Sequence, residues 1–300
     1  MKNPKIGFIG GGNMGGAMIE ALWRAQPDGV SSAEDERKFD GGSEACGMEN
    51  LVQTDKAPRL RECEKEAKFE IIACARRKNE ALWQRFGVKI AASETDLARE
   101  ADAVVLATKP ASYEAILRLI APELAGKILL LLAPGFDIKR ARQIVGKGVY
   151  IARAMPNIAA CIGASATALC FDAGFSETKK ETVREIIAKI GKIYEIDETG
   201  FAAFTGIAGS LPAYACAFIE AAADAGVRGG LPRRLCYDAV CAAIEGTARL
   251  IQSGKHPAAL KDEVCSPGGT TIEGLAALEK GGFRGALMQA VAACIAKAQS

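Results

Sequence analysis

The segment from Lys5 to Trp23, KIGFIGGGNMGGAMIEALW, constrains the fold more than any other part of the chain. Lys5–Ile9 is a short apolar run of the kind that forms a buried strand, and a helical pattern opens after it. Between them stand Gly10, Gly12 and Gly15 in the spacing Gly-x-Gly-x-x-Gly. Glycines so placed permit a tight turn, close approach of a pyrophosphate to bare backbone, and close packing of helix on strand. The helix N-terminus then faces the anion with its unsatisfied N–H groups. A strand, this loop and a helix in that order predict an α/β chain that opens on a Rossmann-type dinucleotide-binding domain.

The rest of the N-terminal part agrees. Strand-like runs recur at Phe69–Cys74, Ala103–Ala107, Lys127–Leu132, Val149–Ala154, Ser165–Phe171 and Ile193–Ile196. Amphipathic segments such as Asn79–Phe86, Ser112–Ala121 and Ser176–Ile190 lie between them. Such alternation predicts a mostly parallel sheet flanked by helices, over residues 1–198. Alanine-rich helical patterns replace the strands from about Thr199, so residues 199–300 are expected to form an all-helical domain. Ala215–Val227 and Tyr237–Ile251 there are apolar on wide arcs, more than one small domain covers alone. Pro27–Lys68 is rich in charge, Gly and Ser and reads as a surface insertion, with a short helix around Arg59–Lys68.

Composition excludes several function classes. The formal net charge is +2 over 300 residues, which is no nucleic-acid footprint. No membrane span is expected, since no apolar run is judged to approach the roughly 20 residues required. Met1-Lys-Asn-Pro-Lys reads as no signal peptide, so a cytoplasmic protein is expected. Ten cysteines occur without a Cys-x-x-Cys pair and with one histidine, His256, so no metal site is expected. Cys74, Cys170, Cys216 and Cys241 lie in apolar stretches and are expected to be buried, reduced thiols.

Three further stretches carry chemistry. The second strand ends in Ala75-Arg76-Arg77-Lys78, where an acidic partner for a ribose 2′-hydroxyl would be expected. A basic tip suits a 2′-phosphate, which favours NADPH and leaves NADH the weaker ligand. Ala107-Thr108-Lys109-Pro110 follows another strand at the edge where ligands bind in open α/β sheets, and is assigned to the cofactor. Ser266-Pro-Gly-Gly-Thr-Thr271 precedes a helical pattern from Ile272. Its two glycines exceed what helix capping requires and leave bare N–H groups at the positive end of a helix dipole.

In these motifs the chain resembles the pyrroline-5-carboxylate reductase family. The likeness runs through Ile6–Met18, Ala107–Pro110, Arg153–Asn157, Ala208–Tyr214, Asp224–Arg234 and Ser253–Val291. It implies a Rossmann domain followed by a helical dimerisation domain, a homodimer or a larger homo-oligomer, and NADPH-dependent reduction of pyrroline-5-carboxylate to L-proline. Carried over residue by residue, it adds Asn13, Met14 and Asn157 to the cofactor set of Gly10, Gly12, Gly15, Arg76, Arg77 and Ala107–Pro110. It places the substrate carboxylate on Ser266, Gly268, Gly269, Thr270 and Thr271, with Thr271 as the catalytic candidate that hydrogen-bonds the imine nitrogen. The family's Ser-Gly-Ser-Gly-Pro-Ala-Tyr reads here as Ala208-Gly-Ser-Leu-Pro-Ala-Tyr214, and its Met-Pro-Asn-Thr-Pro-Ala as Met155-Pro-Asn-Ile-Ala-Ala160. These departures keep two other readings open: reduction of a six-membered piperideine carboxylate, or a non-catalytic nucleotide-binding paralogue. If the basic tip selects the cofactor, Arg76→Ala with Arg77→Ala weakens NADPH roughly tenfold or more relative to NADH in binding titrations, because charge-assisted phosphate contacts each contribute about 1.5–3 kcal/mol. Unchanged NADPH affinity would remove both arginines from the site.

Overall fold

The computed structural model describes residues 3–24, 69–74 and 87–299, apart from the side chain of Asn13. The Pro27–Lys68 insertion, Arg76, Arg77 and the helix expected over Asn79–Phe86 lie outside the described residues. The chain divides into two compact units, Met1–Gly209 with Ala298–Ser300, and Ser210–Lys297.

The first unit is an eight-stranded sheet in the order β3-β2-β1-β4-β5-β6-β7-β8. Its strands are β1 (Lys5–Ile9), β2 (Glu70–Cys74), β3 (Lys89–Ile90), β4 (Ala103–Leu106), β5 (Ile128–Leu131), β6 (Tyr150–Met155), β7 (Ser165–Phe171) and β8 (Gly191–Glu195). Strands β1 to β6 pair in parallel, β7 is antiparallel to β6, and β8 is parallel to β7. The strand order reverses between β1 and β4, which puts a crevice at their C-terminal ends.

Alternation along each strand builds two cores. Ile6 and Phe8 of β1 join Met18, Ile19 and Leu22 of helix α1 (Asn13–Arg24), and Val183, Ile186 and Ile187 of α5 (Glu177–Ala188), on one face. On the other face, Ile9, Val104, Leu106, Leu129 and Leu131 pack on α2 (Glu94–Glu100), α3 (Tyr113–Ile120) and α4 (Ile138–Val145). Strands buried on both sides read as the nearly continuous apolar runs seen in the sequence. The helices start at side-chain caps where the sequence supplies them. Ser93 accepts from the N–H of Asp96 at 3.1 Å, and Asp137 from that of Arg140 at 2.7 Å.

After β8 the chain stays helical from Glu198 to Arg228, through a short α6 (Phe201–Phe204) and a π segment (Thr205–Gly209). Phe201 and Phe204 are buried in the first unit's core. The second unit consists of α7 (Leu211–Arg228), α8 (Arg233–Gln252), α9 (Pro257–Val264), α10 (Thr270–Lys280) and α11 (Phe283–Gln299).

Two expectations are corrected here. The 31-residue stretch Glu198–Arg228 has a window of mean hydropathy 1.5 and is long and apolar enough, by length and composition, to cross a membrane. Gly206, Gly209 and Pro212 interrupt it on paper, yet Pro212 stands in the first turn of α7, where its missing N–H is no loss. Cys216 and Cys241 are exposed rather than buried. Their helices, α7 and α8, bury little of their apolar surface within their own unit.

That shortage is general in the second unit. Among its described residues only Ala223 and Cys236 are buried hydrophobics, whereas Leu211, Phe218, Leu235, Leu250, Phe283 and Met288 are exposed. An apolar surface of this kind marks an association site. At micromolar concentration the chain is expected to scatter light as a dimer or a multiple of one; the mass of a single chain would contradict this.

Candidate cofactor and substrate sites

The turn after β1 is built by contact. Gly10 has φ 99°, a left-handed conformation that glycine adopts without strain, and its N–H donates to the carbonyl of Cys74 at 3.1 Å. A Cβ at Gly10 would lie 2.7 Å from Thr108 Cγ2 and 2.8 Å from the Ala107 carbonyl oxygen. A Cβ at Gly15 would lie only 2.3 Å from the Gly10 carbonyl oxygen. Nothing lies within 4 Å of a Cβ placed on Gly12. Gly10 and Gly15 therefore close the turn against the end of β4, and Gly12 leaves open space above bare backbone. Half-buried Met14 packs on the core beneath.

Gly10, Gly15, Ala107 and Thr108 thus meet at one place, the C-terminal edge of β1 and β4. The N–H of Ala107 donates to the Ile9 carbonyl at 2.8 Å and extends the ladder past the strand. Thr108 Oγ1 is buried with no hydrogen-bond partner, a condition a nucleotide oxygen would relieve. Lys109 is exposed, and Pro110 opens a single 3₁₀ turn that runs to Ser112. Open backbone at Gly12 and an orphaned hydroxyl at Thr108 fit a dinucleotide. The thiol of Cys74, at the neighbouring strand end, is raised above its usual range by burial, then by Glu94 and Asp96.

Asn157 follows β6 at the same edge, with its side chain committed to the protein at both ends. Its Oδ1 accepts from the Ala159 N–H at 3.1 Å, and its Nδ2 donates to the Ala208 carbonyl at 3.0 Å. Its own N–H donates to Ser165 Oγ at 3.0 Å, and that hydroxyl is paired with buried Thr167 Oγ1. The carbonyl of Ala208 belongs to the π segment, a geometry that recurs at functional sites. Sequence reasoning did not find Ser165 and Thr167; two hydroxyls alternating on one face of an apolar strand were the signal. Nor did it find the ion pair of buried Arg153 with Glu198, 3.0 Å apart. Glu198 also accepts from the Ile138 N–H at 2.9 Å, and Arg153 lies over the Phe201 ring.

In the second unit, Ser266–Thr271 forms the turn into α10. The helix begins at Thr270, earlier than Ile272, and its N-cap is Gly269, which makes no side-chain cap. Thr270 and Thr271 therefore stand inside the first turn, and the opening N–H groups gain no side-chain acceptor from the cap. Gly268 has φ 67°, and a Cβ on Gly269 would lie 2.3 Å from Ser266 Oγ. Ser266, Thr270 and Thr271 are exposed, and the turn itself carries no charged side chain. Its donors suit one carboxylate.

A cavity of about 850 Å³ opens elsewhere, at the C-terminal end of β7, and no expected site residue lines it. Its Arg142 and Asp172 neutralise each other at 2.6 Å, so it presents no consistent charge to a ligand. Gly15→Ala is expected to destabilise the chain by about 1–3 kcal/mol, because backbone must move, whereas Gly12→Ala stays within about 0.5 kcal/mol. Denaturant unfolding of both variants checks this, and equal losses would remove the distinction between the two glycines.

Comparison with known proteins agrees with both halves of the chain. The family model "Pyrroline-5-carboxylate reductase dimerisation" matches residues 198–300, and "NADP oxidoreductase coenzyme F420-dependent" matches residues 56–134. Pyrroline-5-carboxylate reductase of Glycine max is 41% identical over 213 residues, covering 70% of this chain and 77% of the relative. That of Aquifex aeolicus is 31% identical and covers 96% of this chain and 93% of the relative. Among solved structures, Plasmodium falciparum pyrroline carboxylate reductase with NADP bound is 30% identical with a TM-score of 0.78, covering 99% of this chain and 98% of that one. The enzyme from Streptococcus pyogenes is 30% identical with a TM-score of 0.77, covering 99% of each chain. A glycine turn opened at Gly12, a neutral donor turn at Ser266–Thr271 and these likenesses together place the chain in the pyrroline-5-carboxylate reductase family.

Proposed function

We propose that this chain reduces the C=N bond of pyrroline-5-carboxylate with NADPH and releases L-proline. The observation that carries the reading is the likeness, over nearly the whole chain, to a reductase solved with NADP bound. NADPH, when bound, would supply a hydride to the imine carbon while the ring nitrogen takes a proton, so that the C=N double bond becomes a C–N single bond with one new C–H and one new N–H bond.

The protein's part is to bind and orient. Gly10 and Gly15 close the turn so that the bare backbone about Gly12 and the N-terminal N–H groups of α1, with Asn13 and Met14 on its first turn, meet the pyrophosphate. Ala107, Thr108, Lys109 and Pro110 line the adjoining strand end. Thr108 gains the hydrogen-bond partner it lacks, and Lys109 supplies a positive charge toward the phosphates. Arg76 and Arg77 select the 2′-phosphate, and Asn157 holds the neighbouring turn in place. Ser266, Gly268, Gly269, Thr270 and Thr271 receive the substrate's carboxylate through hydroxyls and helix-terminal N–H groups. A singly charged substrate needs no arginine clamp in such a turn. Thr271 is the catalytic candidate, its hydroxyl hydrogen-bonded to the imine nitrogen. Most of the acceleration then comes from holding donor and acceptor in near-attack geometry.

Thr271→Ala tests the substrate turn. Losing a hydrogen bond to a charged group costs about 1.5–3 kcal/mol, or roughly 10- to 100-fold in kcat/KM. NADPH affinity and thermal stability are expected to stay close to wild type. A variant with wild-type kcat/KM would leave Thr271 as no more than part of a helix start. Running the same assay with the six-membered homologue, piperideine carboxylate, decides the ring size, for which exposed Leu211 is the position to watch.

A further inference from the structure

Tyr113 is the largest fully buried side chain of the protein's described residues, and nothing in the proposed chemistry uses it. It is the first residue of α3, directly after the 3₁₀ turn that begins at Pro110. Its hydroxyl donates to the carbonyl of Leu106, the last residue of β4. The same oxygen accepts from the N–H of Leu132 at 3.2 Å, just past the end of β5. Burial pushes its pKa up to about 12, so the phenol is neutral at ordinary pH and acts as donor and acceptor together. The ring meets Phe136 edge-on, with centroids 5.2 Å apart.

These contacts converge on two strand ends at the edge that carries the glycine turn. Leu106 and Leu131 are the last ladder partners of β4 and β5, so the groups held by Tyr113 lie where the ladder runs out. Leu106 runs straight into Ala107-Thr108-Lys109-Pro110, and Leu132 into Ala133-Pro134-Gly135. A Cβ on Gly10 would be only 2.8 Å from the Ala107 oxygen, so a shift of Leu106 is passed directly to the turn. Such a phenol acts as a clamp behind both loops. It has no surface of its own with which to touch a ligand.

We propose that Tyr113 is a positioning residue for the cofactor, fixing the ends of β4 and β5 so that the Ala107–Pro110 loop meets the glycine turn in a binding-competent arrangement. The inference rests on the reading that NADPH lies at this edge. Tyr113→Phe keeps the ring and deletes the hydroxyl, which leaves the Leu106 carbonyl and the Leu132 N–H without their partner. In the full chain, NADPH Kd from fluorescence titration is expected to rise about 5- to 30-fold, the size of one to two lost neutral hydrogen bonds. kcat at saturating NADPH and KM for the imine substrate are expected to stay within about twofold.

Val183→Ala is the control for stability alone, since Val183 is buried in the core on the opposite face of the sheet. It is expected to lower Tm and leave NADPH Kd unchanged. A folded Tyr113→Phe chain with wild-type Kd overturns the proposal, as does a rise in Kd of equal size in Val183→Ala. Should Tyr113→Phe not fold, Phe136→Leu removes the ring that seats the phenol. A two- to fivefold rise in Kd is then expected, and an unchanged Kd overturns the proposal. A wild-type chain that binds no NADPH overturns the functional reading itself and the clamp with it, an outcome distinct from a clamp variant that binds as well as wild type.

Discussion

The approach of the Gly10–Gly15 turn to the end of β4 is the constraint on which the first unit depends. A side chain at Gly15 would collide with the Gly10 carbonyl, and one at Gly10 with Ala107 and Thr108. With both positions bare, α1 lies close on the sheet and Met18, Ile19 and Leu22 reach the core. The same closeness brings the loops after β1 and β4 together at the edge where the strand order reverses. Core packing and the nucleotide edge therefore have one cause, and a substitution that loosens one loosens the other.

Much of this was legible in the sequence because the signals are local. β1 and β7 were expected with the boundaries observed, and the other long strands within about two residues, since doubly buried strands leave uninterrupted apolar runs. β3, two residues long, has no run to detect, and α4 was not singled out. The start of α10 was misjudged because Gly269 caps without a side chain, so Thr270 and Thr271 stand in the helix rather than before it. Asn157 was legible as part of a family motif, but its bond to the Ala208 carbonyl joins chain segments far apart in sequence. Arg153 with Glu198 and Tyr113 with Leu132 were hidden for the same reason. The expected burial of Cys216 and Cys241 failed differently. Apolar neighbours in sequence imply burial only when something is there to cover them.

The second unit makes that point at larger scale. Its helices bury little of their own apolar surface, and the stretch Glu198–Arg228 is as apolar as a membrane helix by composition. The match of residues 198–300 to a dimerisation family accounts for such a surface as the face of an association. A core shared between chains relieves each from closing a core of its own. It also ties the proposed substrate turn on α10 to a unit that buries little apolar surface of its own.

One device serves both proposed ligands, which differ in charge and size. α1 and α10 each begin at glycines, and each offers N–H groups at the positive end of a helix dipole. At α1 the open space over Gly12 leaves room for a pyrophosphate. At α10 the turn is closed tighter, with Ser266 Oγ filling the space next to Gly269. A doubly charged phosphate would leave such a neutral turn with uncompensated charge, whereas a single carboxylate is matched by a few hydrogen bonds. The chain thereby separates its two anions by the charge each site can neutralise.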